Sequence, residues 1–562
     1  MMGTKSVAMD ANGNYIVVWQ DGSGADGSGI GIYGQRYNAA GTAQGAQFRV
    51  NTYTAGDQEW PEVAMDASGN FVVVWQSQGQ DGSNLGVYAR RYNAAGTALD
   101  ASDFRVNQTT NLDQGAPAVA TDSAGNFVVS WVTRSQDAVN TWGIYARRFG
   151  ANGTALSNEF QVNTYTASDQ EVSTIAMDSS GNFVIAWSSN GQDGSTFGIY
   201  AQRFDAAGAK QGSEFRVNST TADAQTFPSI AMDTSGFVIV WQSNLQDGSD
   251  LGVYGQRYNA SGAALGGEFR INTTVADAQT RVMVASTGSG GFLVTWNSNL
   301  QDGSLRGAYM RQYDSSGAAL TGEVLVNTTT SGDQVYPSVA ADAKSHAVVV
   351  WGGNGIGDND GIFMQRYISA YPPILTLSGY SANYVENAAA IYDASATVTD
   401  DDSAVFNNGQ LLYQITANGT ATDELGIRNQ GISAGQIGIS GSNVTYGGVI
   451  IGTYSGSFGN GSTPLTVTFN SNATVAAVQA LVRNITYRDT SENPSTATRT
   501  ISLTISDGSG QTSTPSIVTM AVTAVNDPPV IGSNGGGATA SVSVVENITA
   551  VTTVTSTDVD GG

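Results

Sequence analysis

The stretch that decides the fold covers residues 65–107 and reads MDASGNFVVVWQSQGQDGSNLGVYARRYNAAGTALDASDFRVN. Within it, Trp75 ends an apolar run, residues 71–74. Equivalent tryptophans recur every 54 to 56 residues along the first two thirds of the chain: Trp19, Trp75, Trp131, Trp187, Trp241, Trp296 and Trp351. Seven copies of one unit therefore follow one another almost without insertions, which is typical of a repeat architecture.

Each unit predicts four short strands. In the quoted copy these are residues 62–65, 71–76, 86–92 and 104–107, with Gly-containing turns after the first and third strands. The second strand is apolar at consecutive positions, so both of its faces should be covered. Four-stranded sheets that repeat seven times with covered faces are typical of a β-propeller. We therefore predict an all-β protein in which residues 1–370 form a seven-bladed β-propeller.

The seventh unit ends early. A Phe-Arg-Val-Asn strand, or a variant of it, closes the first six units, beginning at Phe48, Phe104, Phe160, Phe215, Phe269 and Val324. The seventh unit instead runs from residues 365–367 into the Tyr-Pro-Pro of residues 371–373. We expect either a three-stranded blade or a last strand supplied from upstream of Met1. An unpaired edge of this kind invites association.

Loop lengths predict which face of the ring is polar. The loop after the second strand and the crossover to the next blade lie on the same face, and both are longer than the tight turns of the other face. The loop after the second strand repeats Gln-Asp-Gly-Ser and follows the tryptophan closely. We identify as candidate ligand-binding residues Gln80, Asp81, Gln192, Asp193, Gln246, Asp247, Gln301 and Asp302, together with Trp75, Trp187, Trp241 and Trp296.

Two interpretations of these residues are open. Asp and Gln side chains beside an aromatic face can hydrogen-bond the hydroxyl groups of a sugar. Alternatively, Asp-Gly closes a turn and the tryptophan fills the space between blades. Because the residues recur in nearly every copy, repetition alone does not separate folding from binding.

The chain offers little for catalysis. Its one histidine, His346, lies at a turn where the sister copies hold Gly or Asn, and chance explains this placement better than catalysis does. An arginine recurs just before an aromatic residue on the third strand of six units, and we expect it to stack on a tryptophan or pair with a turn aspartate: Arg36, Arg91, Arg148, Arg203, Arg257 and Arg366. Sialidases also use propellers, but they need an arginine cluster and a nucleophilic tyrosine.

Charge and composition disfavour several classes of partner. The net charge of −24 and the pI of about 4.2 argue against nucleic acid and anionic membrane surfaces, which attract clustered Lys and Arg. The chain has no cysteine, so neither disulfides nor thiolate metal sites can form. No apolar run approaches the ~20 residues that span a bilayer, so we expect no membrane insertion. The many carboxylates can supply oxygen ligands for calcium.

The composition changes at Tyr371. Residues 371–527 contain short alternating runs typical of a β-sandwich, interrupted by one predicted helix at residues 473–484 with Asn472 as its N-cap. After the linker Asn-Asp-Pro-Pro at residues 526–529, the pattern starts again and stops at Gly562. We therefore expect residues 528–562 to be the truncated start of a second module, within a longer parent chain.

Four motifs of this region carry a family resemblance. The Val-Glu-Asn of residues 385–387, the acidic triplet of residues 400–402, the Asp-Gly-Ser-Gly of residues 507–510 and the Asn-Asp-Pro-Pro linker resemble the cadherin-like repeats of large bacterial surface and secreted proteins. Residues 483–491 are similar to the related chondroitin-sulfate-proteoglycan type of repeat. The resemblance covers residues 372–562, and the propeller repeat itself resembles repeats found beside such modules in bacterial giant adhesins.

The resemblance implies calcium at the junction between modules, because clustered carboxylates at a hinge repel one another until a cation neutralises them. Carried over onto this sequence, the implied calcium ligands are Glu386, Asp489, Asp507, Asn526, Asp527, Glu546, Asp558 and Asp560. Acidic turn residues exposed to solvent are the alternative interpretation of the same positions.

Three hypotheses for function follow. The first is an extracellular or cell-surface adhesin-like fragment of a bacterium, whose propeller rim binds a glycan or a cell-surface protein. Calcium would stiffen its cadherin-like repeats, with further such repeats in the parent chain, and weak sites around the ring would gain by avidity. The second is a purely structural spacer, and the third is a glycan-cleaving, sialidase-like enzyme.

Overall fold

The computed structural model describes residues 5–288, 290–344, 346–367, 372–378, 381–388, 390, 393–400, 403–458, 461, 463–508, 510–533, 539, 541–546, 548–549 and 551–560. Contacts between residues divide the chain into two units, Met1–Ile368 and Ser369–Gly562. The boundary that the sequence predicts, at residues 370 and 371, lies outside the described residues.

The first unit is a ring of seven antiparallel sheets, the blades. In each sheet the strand order follows the chain order. Blades one to three contain β1 (Lys5–Met9), β2 (Tyr15–Asp21), β3 (Gly31–Tyr37), β4 (Phe48–Arg49), β5 (Gln58–Met65), β6 (Phe71–Gln78), β7 (Leu85–Tyr92), β8 (Phe104–Arg105), β9 (Gln114–Thr121), β10 (Phe127–Arg134), β11 (Trp142–Phe149) and β12 (Phe160–Gln161).

Blades four to six repeat this arrangement, and blade seven has three strands in the described residues. Their strands are β13 (Gln170–Met177), β14 (Phe183–Asn190), β15 (Phe197–Phe204), β16 (Phe215–Arg216), β17 (Gln225–Asp233), β18 (Gly236–Asn244), β19 (Leu251–Asn259), β20 (Phe269–Arg270), β21 (Gln279–Gly288), β22 (Gly291–Asn299), β23 (Arg306–Tyr313), β24 (Val324–Leu325), β25 (Gln334–Ala341), β26 (Ala347–Gly355) and β27 (Asp358–Tyr367).

The first strand of each blade is the innermost. First strands of neighbouring blades contact one another around the whole ring, and β25 contacts β1. Val7 and Val17 of blade one share an apolar cluster with Ala340 and Val348 of blade seven, so the ring is closed. The prediction of an all-β, seven-bladed propeller is confirmed.

The second strand is apolar throughout because it packs against a neighbouring blade on each side. In β6, Val73 and Trp75 belong to the cluster shared with blade one, and Val72 and Val74 to the cluster shared with blade three. Burying each such side chain contributes about 1.5–3 kcal/mol. The blades are thus held together mainly by apolar contacts on both faces.

The recurring arginines join each blade to the next. Each donates to main-chain carbonyl oxygens in the turn between the third and fourth strands of the following blade, as Arg36 does to Ala94 and Ala95. Arg366 does the same to Ala39 and Ala40 across the closure of the ring. Carbonyl groups, which the repeated turn presents at a fixed position, therefore take the place of the expected tryptophan partners. Arg91 also has an aspartate partner, since its side chain forms an ion pair with Asp100 of its own blade.

The second unit is also mainly β. It contains β28 (Ile374–Thr376), β29 (Ser381–Val385), β30 (Thr397–Thr399), β31 (Gln410–Ala417), β32 (Asp423–Ile427), β33 (Ile437–Ser440), β34 (Asn443–Tyr446), β35 (Val449–Gly456), β36 (Leu465–Phe469), α1 (Val475–Val482), β37 (Ile485–Asp489), β38 (Arg499–Ile505), β39 (Ser516–Thr523), β40 (Val530–Ile531) and β41 (Ser556–Thr557).

One large sheet dominates this unit. Its eight strands have the order β29-β39-β38-β31-β36-β35-β34-β33, and small two-stranded sheets pair β28 with β30 and β32 with β37. Side chains of these sheets and of α1 share one apolar core. An eight-stranded sheet with two small sheets differs from the predicted sandwich, so the structure shows an all-β unit without clearly showing a cadherin-like one.

The helix is shorter than predicted. It covers Val475–Val482, and its N-cap is Thr474, whose hydroxyl accepts from the Ala477 N–H, rather than Asn472. Asn472 instead donates from its side chain to the Ile450 carbonyl. In residues 528–560 the described strands are the pair β40 and β41, both exposed.

Candidate functional site

The four tryptophans proposed as ligand-binding residues lie inside the ring. Trp75, Trp187, Trp241 and Trp296 are each 0% exposed. Each packs against the fourth strand of the preceding blade, as Trp75 does in the cluster that contains Val50. Their prediction as an aromatic edge for a ligand is wrong, because the second strand continues past the tryptophan and its packing places the side chain between blades, away from solvent.

The aspartates of the repeated loops accept hydrogen bonds within those loops. Asp81 accepts from the Ser83 N–H at 3.0 Å. The other three do the same with the equivalent serines, and Asp193, Asp247 and Asp302 also accept from the asparagine that follows the fourth strand. A side chain at Gly86 would lie 2.7 Å from the Asp81 carboxylate, so this glycine makes room for the aspartate.

The glutamines of the same loops bond to a glutamate that the sequence analysis did not single out. Gln192 donates to Glu214, Gln246 to Glu268 and Gln301 to Glu323, at 2.7–2.8 Å. These geometries favour the turn-forming interpretation of the loops. Ligand binding by the eight Gln and Asp residues, including Gln80, stays a prediction.

A second ring of residues lies around the axis. In blades two to seven the innermost strand has a β-bulge near its start, and the bulged residue has a positive φ of 47–56°. We call these residues the axial ring: Trp60, Ala116, Val172, Phe227, Arg281 and Tyr336. Positive φ is strained for aromatic and β-branched residues, and such strain clusters at functional sites.

The side chains of the axial ring reach solvent. Trp60 is 43% exposed, and the other five are partly exposed. The Arg281 guanidinium stacks between two aromatic rings, 4.3 Å from the Phe227 centroid and 4.9 Å from that of Tyr336. Among the described residues no carboxylate lies within salt-bridge distance of Arg281. Its cation is therefore held in place by aromatic faces.

The neighbours of the axial ring give it two different sides. The residue before the bulge is Glu59 in blade two and Glu171 in blade four, and burial together with Asp169 raises the pKa of Glu171. In blades five and six that residue is Thr226 and Thr280. The acidic groups thus lie on one side of the axis, and Arg281 with its aromatic neighbours on another.

Sequence reasoning missed the axial ring because it looked for what the copies share. The backbone bulge recurs, while its side chain is Trp, Ala, Val, Phe, Arg or Tyr. A position that keeps its backbone and varies its side chain among copies is the signal that would have identified it.

The second unit brings some of the predicted calcium ligands together. Carboxylate oxygens of Glu386, Asp527 and Glu492 all lie within 4.8 Å of one another, and Glu492 was not predicted. Glu386 is 4% exposed, and its Oε1 has no hydrogen-bond partner among the described residues. Desolvation and then the charges of Asp560, Glu492 and Asp558 raise the pKa of Asp527. We call Glu386, Glu492, Asp527, Asp558 and Asp560 the acidic group.

Other predicted calcium ligands are placed elsewhere. Asp489 forms a buried ion pair with Arg499, which also bonds Asp423. The carboxylate of Asp489 is therefore already neutralised. Asp507 follows the end of β38 opposite to the end that carries Arg499, and accepts from the Gln511 N–H and Ser403 Oγ. Glu546 and Asn526 are exposed. The predicted ligands Asp489 and Asp507 are corrected accordingly, and Asp401 and Asp402 lie outside the described residues.

His346 has a structural partner. Its Nδ1 lies 2.8 Å from Asp342 Oδ2. In the equivalent turns of blades one to four an asparagine side chain makes this bond, as Asn70 does to Asp66 at 2.8 Å. The histidine therefore takes the place of a turn-forming asparagine.

No protein-family model matches the chain, and no curated protein matches it. Several solved structures resemble it weakly. A protein of unknown function from Dyadobacter fermentans has 10% identity and a TM-score of 0.38, covering 65% of this chain and 93% of its own. The β-propeller domain of the Trilobed protease from Pyrococcus furiosus has 6% identity and a TM-score of 0.38, covering 66% of this chain and 96% of its own. An α-L-arabinanase from Penicillium chrysogenum has 11% identity and a TM-score of 0.37, covering 65% of this chain and 93% of its own. Likeness at this level gives no information on activity or ligand.

In the part of the chain that the structure describes, we find no helix with the length and hydropathy of a membrane span.

Proposed function

We propose that the protein is an extracellular binding module whose propeller engages a glycan at the axial ring. The observation that carries this proposal is the contrast between two sets of positions. Most of the loop residues that recur in nearly every copy are bonded to their own blade, whereas the axial-ring side chains reach solvent and differ from blade to blade. A ligand that contacts the axis therefore meets an asymmetric surface, as a specific site requires.

The chemistry of the axial ring favours a glycan that carries carboxylate groups. The exposed indole of Trp60 offers an apolar face on which a sugar ring can stack. The guanidinium edge of Arg281 can bind a carboxylate through two parallel hydrogen bonds. The chain carries a net charge of −24, so a cation that has no carboxylate partner among the described residues is a local exception that an acidic ligand would recognise.

Binding without cleavage fits the inner strands better than hydrolysis does. Glycoside hydrolysis uses two carboxyl groups that flank the scissile bond. At the level of Glu62, the described inner strands of the other six blades carry Ser, Ala, Thr or Met: Ser6, Ala118, Thr174, Ser229, Met283 and Ser338. A second carboxyl group at the same level is absent from these residues.

A glycan array tests the proposal. Neutral, uronate-containing and sialylated glycans would be probed with the intact chain and with three variants: Trp60→Ala, Arg281→Ala and, as a loop control, Gln246→Ala. We expect uronate-containing or sialylated hits that fall at least tenfold in both axial variants and persist in the loop control. Each variant is first checked for an unchanged circular dichroism spectrum.

Three other outcomes would contradict the proposal. Hits that depend on Gln246 and not on Arg281 would show that the binding site lies at the loops that carry Gln and Asp. An absence of hits with every glycan would favour the structural spacer. Release of shortened products from the glycan would make the protein an enzyme.

We further propose that the acidic group of the second unit binds calcium. Calcium takes six to eight oxygen ligands, and the acidic group gathers five carboxylates, one of them buried with an oxygen that lacks a donor. Glu386, Glu492 and Asp527 fit such an ion. Neutralising their mutual repulsion would stiffen the link to the residues that follow the linker.

Calorimetry of the intact chain with and without calcium tests this site. Calcium should raise the melting temperature of one unit, and Glu492→Gln should remove most of that shift. Glu546→Gln, an exposed carboxylate outside the acidic group, is the matched control and should behave like the parent chain. Equal calcium responses in the parent chain and in Glu492→Gln would reject the site.

A further inference from the structure

The closure between blades seven and one differs from the six other contacts between blades. The outer edge of β27 has no partner strand among the described residues, and its residues are more exposed than those of β7. Beside this edge lies a groove of about 660 Å³, lined by residues of both blades that include Trp19, Tyr37, Ile362, Phe363 and Met364.

In the other blades a fourth strand fills the equivalent space. In blade one, Phe48 is paired with Gly34 and Arg49 with Tyr33. The Val50 N–H donates to the Ile32 carbonyl at 2.7 Å, and the Ile32 N–H donates to the Asn51 side chain at 2.8 Å. Each residue of the Phe-Arg-Val-Asn pattern thus has a defined place along the third strand.

The same fourth strand also covers the following blade. The ring of Phe48 lies 5.4 Å from that of Tyr92, and four further blade pairs repeat this contact at 5.4–5.9 Å. The valine, or isoleucine in one blade, packs in the cluster that buries the next tryptophan: Val50 with Trp75, Val106 with Trp131, Val162 with Trp187, Val217 with Trp241, Ile271 with Trp296 and Val326 with Trp351.

Blade one shows what is exposed without this cover. Trp19 and Tyr37 are half-buried, whereas Trp75 is 0% and Tyr92 2% exposed. The cluster at the closure contains no fourth-strand valine among the described residues. The groove therefore has the shape of one Phe-Arg-Val-Asn strand, as the six filled copies define it.

We propose that this groove binds an extended segment of another polypeptide that carries a Phe-x-Val-Asn pattern. The segment adds a fourth strand to blade seven by β-strand addition to an edge that has no partner strand among the described residues. Its Phe lies opposite Met364 and packs on Tyr37, and its next residue lies opposite Phe363. Its Val N–H donates to the Ile362 carbonyl, and its Asn side chain accepts from the Ile362 N–H.

Two observations support a donor of this chemistry. The described fourth strands of this chain are all engaged in their own blades, and the first described strand after Tyr367, Ile374–Thr376, pairs with Thr397–Thr399 within the second unit. In addition, Asp21, Asp358 and Asp360 line the groove, which favours an arginine at the x position, as four of the filled copies have.

A synthetic peptide with the sequence of residues 45–52, GAQFRVNT, tests the proposal against the intact chain. We expect saturable binding by fluorescence anisotropy and a loss of acrylamide quenching of tryptophan, because Trp19 becomes covered. The peptide with F48A and V50A should bind at least about tenfold more weakly, since it loses two buried apolar side chains and each 1.4 kcal/mol lost is about tenfold in affinity.

Variants of the edge strand give the matched control. Ile362→Pro removes an N–H that faces the groove and leaves the pairing of β27 with β26, so peptide binding should be lost while the fold is kept. Ile362→Val retains the N–H and should bind like the parent. The change in quenching should disappear in Trp19→Phe.

Two results would overturn the proposal. One is equal binding of the parent and doubly substituted peptides, or no binding of either peptide at millimolar concentration. The other is a dimer of the chain in sedimentation that Ile362→Pro abolishes and the peptide does not displace, because the edge would then belong to a second copy.

Discussion

A single carboxyl group illustrates how the inner strands treat charge. Glu62 lies on the innermost strand of blade two and accepts from the Ser6 hydroxyl of blade one at 2.8 Å. Glu62 is only half-buried by its exposed surface, although protein atoms surround its carboxyl group. Burial, partly offset by the bond from Ser6, raises the pKa of Glu62 to about 7. Near pH 7 a substantial part of the folded molecules therefore holds a proton on Glu62 that the unfolded chain releases.

This raised pKa makes a testable contribution to stability. Because the folded pKa lies above the unfolded value, the folded state is favoured at low pH and loses stability as pH rises from about 4.5 to 7. Glu62→Gln is neutral at every pH, so it should stabilise the chain by about 1–3 kcal/mol at pH 8 and by almost nothing at pH 4. Urea unfolding of both forms at the two pH values measures the difference. Equal gains at pH 4 and pH 8 would contradict this assignment.

Individual residues also limit what sequence reasoning can reach. The apolar run before Trp75 correctly predicted a strand covered on both faces, but not that the strand continues to Gln78 and buries Trp75 between blades. Likewise, Asp489 was indistinguishable in sequence from a calcium ligand, because its partner Arg499 is brought to it by the pairing of different strands. Side-chain partners set by tertiary contacts are not encoded in a local motif.

At the scale of the blade, a glutamate before the fourth strand ties three elements together. Glu268 accepts from the Ser219 N–H at 2.6 Å, from Thr220 Oγ1 at 2.7 Å and from Gln246 at 2.7 Å. Burial opposes its ionisation, but the bonds from Thr220, Ser219 and Gln246 outweigh it and lower the pKa of Glu268. The charged form therefore holds the crossover, the long loop and the outer strand in register.

The lowered pKa predicts a loss of stability in acid. A carboxylate with a depressed folded pKa contributes above its unfolded pKa of about 4.3, and this contribution is lost as pH falls through the folded pKa. Glu268→Gln should therefore lower the free energy of unfolding by about 1–2 kcal/mol at pH 7 and by progressively less below pH ~4. Asp250→Asn, an exposed carboxylate in the same blade, is the control and should change little. A loss that stays constant into acid would show that shape rather than charge matters.

The bulges of the inner strands are a feature that local sequence patterns did not predict. Turn glycines and asparagines announce positive φ at Gly69 and similar positions, but Val172 and Phe227 take positive φ without any such residue. Their conformation is imposed by the packing of inner strands around the axis. The strands themselves were predictable to within a few residues from alternation, apolar runs and turn chemistry, whereas the site that the bulges build was not.

At the scale of the molecule, repetition made the number of blades predictable, because each tryptophan marks one sheet and seven sheets close a ring. Repetition also showed that the seventh unit lacks the Phe-Arg-Val-Asn pattern, and blade seven has three strands among the described residues. The second unit was less predictable, since strand-rich composition is compatible with one sheet of eight strands as well as with a sandwich. The acidic group was found only in part, because Glu492 lies outside the motifs that carried the family resemblance.

The proposed glycan contacts the axial ring rather than the loops that carry the recurring Gln and Asp. Fluorine NMR of the intact chain with 5-fluorotryptophan tests this most directly, because its nine tryptophans report on both places at once and Trp60→Phe assigns the axial resonance. On addition of oligogalacturonate, a uronate oligosaccharide, we predict that the Trp60 resonance shifts, and that the shift is lost in Arg281→Ala. An unmoved Trp60 resonance together with shifts at Trp187, Trp241 or Trp296 would contradict the account.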